Sequence, residues 1–138
     1  MTDFQPIRRS ACPISFSLDL LGDKWTLLVL RDLVFMRKRH FRDFLDSSER
    51  IATNILTRRL RTLECAEIIT RRPDPDNARQ VIYELTEKGL DLIPVLLDLI
   101  VWGAKYDPQT GAPQDFIERA GNDREGLIDE LRRSASTR

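Results

Sequence analysis

Few side chains in this sequence are suited to covalent or metal chemistry. It holds two cysteines, Cys12 and Cys65, far apart and in no CxxC pair, and a single histidine, His40. A zinc site needs a converging set of such ligands, so none is expected. No nucleophile elbow, phosphate-loop lysine or GxGxxG run occurs, and no acid, base and nucleophile converge. An enzyme is not expected, and neither a cofactor nor a metal is called for. Cys12 keeps one chemical role open. It follows Arg8-Arg9 and precedes a helix start at Pro13, and cations and a helix N-terminus both favour the reactive thiolate. It reads either as a redox or electrophile sensor or as a small apolar residue. Cys65, beside an apolar stripe, reads as packing, and His40 as structural or close to phosphate.

Recognition chemistry is better supplied. The net charge is zero, but residues 37–80 hold eleven basic and seven acidic residues, while residues 81–138 hold seven basic and eleven acidic. Polyanion binding depends on the local field rather than the total. Within the basic middle, Thr53, Asn54, Thr57, Arg58 and Arg61 share the polar side of one helical pattern. Asn can pair with adenine, Arg with guanine, and a threonine methyl suits the thymine methyl. Arg37-Lys38-Arg39 and Arg42 suit a phosphate-crossing turn. Arg71, Arg72 and Arg79 flank a turn, where an arginine can enter a narrow minor groove. Solvated surface arginines are the bland alternative for each one taken singly.

These residues need elements to position them. Pro13 to Gly22 reads as a short helix. Asp23 can cap a second, running to about Phe35, with Trp25, Leu28, Val29 and Leu33 at helical spacing. Phe41, Phe44 and Leu45 mark a brief third. Ile51, Ile55, Leu56, Leu60 and Leu63 make one apolar face of a fourth, over about 53–66. Ile68 to Arg72 and Gln80 to Leu85 read as strands, with Pro73 to Asn77 as the turn between them. Thr86 caps a long helix reaching about Tyr106. After a Pro/Gly-rich turn from Asp107 to Pro113 come two short amphipathic helices and a frayed tail, residues 134–138. Three helices, the second to the fourth of these, followed by a hairpin make the winged helix-turn-helix order. The predicted fold class is α+β, mostly helical, with a two-stranded β-hairpin wing and additional C-terminal dimerisation helices.

At 138 residues the chain is expected to form a single domain over 1–138, with a core at about 12–103 and a helical extension at about 107–134. The apolar run from Leu90 to Trp102 is too short to span a membrane, and the first residues lack the apolar core of a signal peptide. A cytoplasmic protein is expected. That run is broken only by Asp91, Pro94 and Asp98, so it is apolar over more of its circumference than one core-facing stripe requires. Leu92, Leu96, Leu99 and Trp102, together with Ile14 of the first helix, are the expected dimer contacts, unless the C-terminal helices cover that surface. Trp25 and Trp102 read as core or interface anchors, with a shared ligand pocket as the other reading.

The ordered motifs resemble the HxlR-type transcriptional regulators over about residues 12–103. They run Cys12-Pro13, Gly22-Asp23-Lys24-Trp25, Leu30-Arg31-Asp32-Leu33 and Arg39-His40-Phe41. They continue with Leu56-Thr57-Arg58-Arg59-Leu60, Tyr83-Glu84-Leu85-Thr86-Glu87-Lys88-Gly89 and Trp102-Gly103. The resemblance implies a homodimer, often a repressor, on a pseudo-palindromic double-stranded operator, with an oxidant or a small molecule as an open effector. It also implies a cysteine sensor at Cys12 in some relatives. A winged-helix protein-interaction module without DNA binding is the alternative. Ala52 replaces the usual serine, so Thr53 or Ser48 must cap the fourth helix or its start is weaker. Glu67 replaces a glycine at that helix's exit.

Overall fold

The computed structural model describes residues 8–136; the first residues, on which the leader expectation rested, and the last two of the expected frayed tail lie outside them. The elements are α1 (Pro13–Leu21), α2 (Thr26–Val34), α3 (Phe41–Leu45), α4 (Thr53–Cys65), β1 (Ile69–Asp74), β2 (Asn77–Leu85), α5 (Glu87–Leu90), α6 (Ile93–Tyr106), α7 (Gln114–Asn122) and α8 (Arg124–Ser136). The fold is mostly helical with one two-stranded antiparallel sheet, in winged-helix order. The main core gathers Leu30 and Leu33 of α2, Phe44 of α3, Leu56 and Leu63 of α4, Ile69 of β1 and Ile93 of α6.

Asp23 organises the start of α2, accepting the N–H groups of Trp25 (2.9 Å) and Thr26 (3.0 Å) as well as the Thr26 hydroxyl. Burial raises its pKa, but these bonds and nearby Arg59 outweigh that, so the carboxyl sits below its usual range. The exit of α4 is as unusual as its sequence suggested. Glu67 takes the left-handed conformation (φ 61°) without being glycine, and Ile68 N–H closes the turn on Leu63 C=O at 2.9 Å. The Thr-x-x-Gly motif then clamps this exit. Thr86 Oγ1 donates to Glu67 C=O (2.6 Å) and accepts from Gly89 N–H (3.1 Å), while Lys88 Nζ donates to Ala66 C=O (2.8 Å). A Cβ on Gly89 would lie 2.3 Å from Ile68 C=O, so only glycine fits there.

Two expected boundaries move. The turn of the hairpin shrinks to Pro75-Asp76, and Pro73 pairs with Val81 inside β1. Both strands of a two-stranded sheet are edges, so a proline without an N–H is tolerated. The single helix expected after Thr86 is two, because Pro94 has no N–H to continue the ladder from Leu90; Leu92 N–H turns instead to Gly89 C=O at 3.0 Å.

The C-terminal helices cover part, not all, of α6. Leu97 packs with Ala120 and Leu127. Arg124 bridges Asp98 at 2.6 Å, and Arg132 reaches Glu87 (2.6 Å) and Asp91 (3.1 Å). Leu96 departs from its expected role as a dimer contact: it is only 5% exposed, buried in the subunit's own core. Its position on the helix turns it inward with Ile93. The surface left open on α6 is Val95, Leu99, Trp102 and Tyr106, and α1 also exposes apolar residues, among them Ile14 and Leu18. Leu92 is half-buried. Among the described residues no helix is long and apolar enough to cross a membrane.

Candidate nucleic-acid interface

Helix α4 forms because Leu56, Leu60 and Leu63 repeat at core-facing spacing, and all three are buried. The opposite side therefore faces outward. Thr53, Asn54, Thr57, Arg58 and Arg61 are all exposed on it. Its N-cap is Ala52, with no side-chain cap bond, so neither Thr53 nor Ser48 takes over that role. Thr57 returns its hydroxyl to Thr53 C=O at 2.9 Å. Arg59, between the outward residues, turns to Asp23 at 3.4 Å and belongs to the scaffold.

The wing stands beside α4. Arg61 and Arg71 line one narrow cleft with Phe41, Thr57, Glu64 and Tyr83. Arg71 Nε lies 3.8 Å from Glu64, and burial pushes the Tyr83 hydroxyl upward in pKa. Arg72 is paired with Glu84 across the hairpin. Arg79 is exposed in the irregular stretch where the register slips.

The basic turn does not present its three cations alike. Arg37 is exposed and left-handed (φ 55°). Lys38 departs from the expected phosphate contact: its ammonium turns inward, 3.0 Å from Ser47 Oγ and 3.5 Å from buried Asp32. Asp32 is only 3% exposed, so beside Arg31 it draws in this second cation as well. Arg39 is half-buried and engaged, and its C=O accepts Tyr83 N–H at 2.9 Å. Arg42 on α3 is exposed.

Sequence spacing missed two contacts that fix this surface. His40 Nε2 lies 2.9 Å from Asp74, tying the start of α3 to the wing tip across thirty-four positions. The Asp76 N–H, then His40, hold the Asp74 carboxyl below its usual range. Arg31 forms the second, gripping Asp32 and, through Nη1 and Nη2, Glu49 at 2.7 and 2.9 Å. No periodic signal marks either contact, since both join residues from different elements. Cys12 is exposed at the start of α1, and nearby Arg9 is committed to Asp19 at 2.8 Å. Trp25 is half-buried in a small cleft beside Val29, whereas Trp102 is 65% exposed on α6. Among the described residues no group of three or more His, Cys, Asp or Glu could hold a metal ion.

The family model for the HxlR-like helix-turn-helix matches residues 20–111. The chain belongs to that family. An HTH-type transcriptional regulator of Synechocystis, sll1512, is 40% identical over 110 residues, covering 80% of this chain and 81% of that protein. Among solved structures, the putative transcription factor PA1607 matches with a TM-score of 0.68 at 33% identity, covering 76% of this chain and 73% of that one. The redox regulator HypR, in its reduced form, matches at 0.61 and 30% identity, covering 68% and 92%. This HxlR-like chain is thus a transcriptional regulator of the winged helix-turn-helix, DNA-binding kind.

Proposed function

We propose that this regulator acts in the cytoplasm as a homodimer, most simply as a repressor, on a pseudo-palindromic operator. Each α4 enters a major groove, and the wing follows the minor groove or backbone. The exposed face of α4, with base-reading Asn54 and Arg58 among small threonines, is the observation that carries this reading. Thr53, Thr57 and Arg61 complete that face. Arg37, Arg42, Arg71, Arg72 and Arg79 supply the surrounding field, with Lys38 and Arg39 acting from behind. Open apolar residues on α1 and α6 favour a two-fold partner, which would set two reading helices about 34–36 Å apart. A salt series against promoter DNA tests the reading: log affinity for one sequence should fall linearly with log salt. Salt-independent binding, or none, would favour a protein-interaction module instead.

A second reading adds thiol control, supported by the exposure of Cys12 at a helix start and by the likeness to redox regulator HypR. Mild oxidation should then weaken operator binding in the wild type and not in Cys12→Ser. Equal loss in both would remove Cys12 from the regulation.

A further inference from the structure

A groove of about 640 Å3 opens between the end of α2, the second half of α6 and the chain leading into α7. That volume lies in the range of small-molecule sites, roughly 300–1,000 Å3. Its walls are Phe35, Met36, Leu99, Ile100 and Phe116. Phe35 and Phe116 meet edge to face at 6.1 Å, and Met36 is 58% exposed. The floor is Gly103 and Ala104, and a Cβ built on Gly103 would meet nothing within 4 Å. The groove is therefore open apolar space rather than loosely packed core.

One end is polar, and its geometry is specific. Asp32 fixes one edge of the Arg31 guanidinium, through Nε at 3.0 Å and Nη2 at 2.9 Å. Nη1 and Nη2 also hold the Glu49 carboxylate. Glu49 lies on the exposed connection between α3 and α4, so its carboxylate can leave without disturbing the core. Arg31 is thus a fixed carboxylate seat at the mouth of an apolar groove, filled by an exchangeable side chain.

We propose that this groove binds a small aromatic carboxylate, its ring against Phe35, Met36 and Phe116 and its carboxylate on Arg31 in place of Glu49. Binding stands independently of the DNA reading; its consequence rests on it. Met36 precedes Arg37 of the basic turn, and Lys38 shares Asp32 with Arg31. A ligand that shifts Met36 and frees Glu49 therefore changes the turn that faces phosphate. The competing occupant is a second copy of the chain, since Leu99 also belongs to the open face of α6.

The sequence has two methionines, Met1 and Met36, so 13C-methyl-methionine labelling of the full chain gives two NMR lines. Titration with 1-naphthoate should shift the Met36 line saturably, with affinity about tenfold above that of uncharged 1-naphthylmethanol. Glu49→Gln, which removes the internal competitor, should tighten naphthoate binding several-fold, and Ala104→Phe should abolish it. An unmoved Met36 line at millimolar naphthoate overturns the proposal, as does equal binding of the alcohol. A line that moves only with protein concentration also overturns it, assigning the groove to a second copy. Operator affinity with and without naphthoate separates the two levels: unchanged affinity overturns the link to the turn. No operator binding in either condition faults the DNA reading and leaves the site standing on the NMR result.

Discussion

Arg58 and Arg37 carry the same charge, but the proposed reading gives them different tasks. Arg58 lies on the exposed side of α4, in the half expected to reach base edges. Arg58→Ala should cost about 1–3 kcal/mol of operator binding and relax preference at one base pair. Arg37, on the turn, should behave as a phosphate contact: Arg37→Ala should weaken all sequences alike and lower the salt slope by about 1. Titration curves against an operator mutant panel distinguish the two patterns. Glu49 offers a different readout. The Arg31 hydrogen bond outweighs a small burial penalty and holds its carboxyl down at about 2, against an ordinary 4.5. A depressed folded value means this contact contributes fully above about pH 4.5 and is lost as pH falls through about 2. Carboxyl 13C shifts of Glu49 should titrate near the lower value, and a midpoint near 4 would remove the pairing.

At the scale of elements, Glu67 is the clearest conflict between sequence and backbone. A left-handed residue with a Cβ is strained by roughly 1–2 kcal/mol, part of which glycine would return as unfolded-state entropy. Glu67→Gly should therefore raise stability by about 0.5–1 kcal/mol, seen as a higher melting temperature; a lower one would mean the side chain makes contacts that offset the strain. Much of this architecture was legible beforehand. The leucine spacing of α4 announced both its buried side and its exposed polar side, and the Thr-x-x-Gly motif marked the end of the wing. The split between α5 and α6 was masked because the apolar pattern runs through it, although Pro94 stood in plain view. Lys38 and Leu96 were misplaced for another reason. Lys38 is turned by buried Asp32, a contact that no helical or strand periodicity marks, and Leu96 by its place on the inward side of α6. Contacts between elements, such as His40 with Asp74, leave no local trace.

The whole molecule separates its charges and its apolar surfaces. The basic middle carries α4 and the wing, while Glu87, Asp91 and Asp98 are neutralised by arginines of α8. Helix α6 then spends one side on the core and another on α7 and α8, leaving Leu99, Trp102 and Tyr106 open. If that remainder meets its two-fold copy, Trp102→Glu should give a monomer by light scattering and weaken operator binding steeply, since only a joined pair reads both half-sites at once. An unaltered dimer would move the interface elsewhere. The hairpin carries a further consequence. Latched at its tip through His40 and Asp74 and at its base through Thr86, it resists bending, so much of its fit against a groove falls to the duplex. Operators with pliable TA or CA steps beneath the wing should bind more tightly than stiff ones at positions no side chain touches. Loosening the latch with His40→Ala should erase that preference, making the protein less selective because it has become more accommodating.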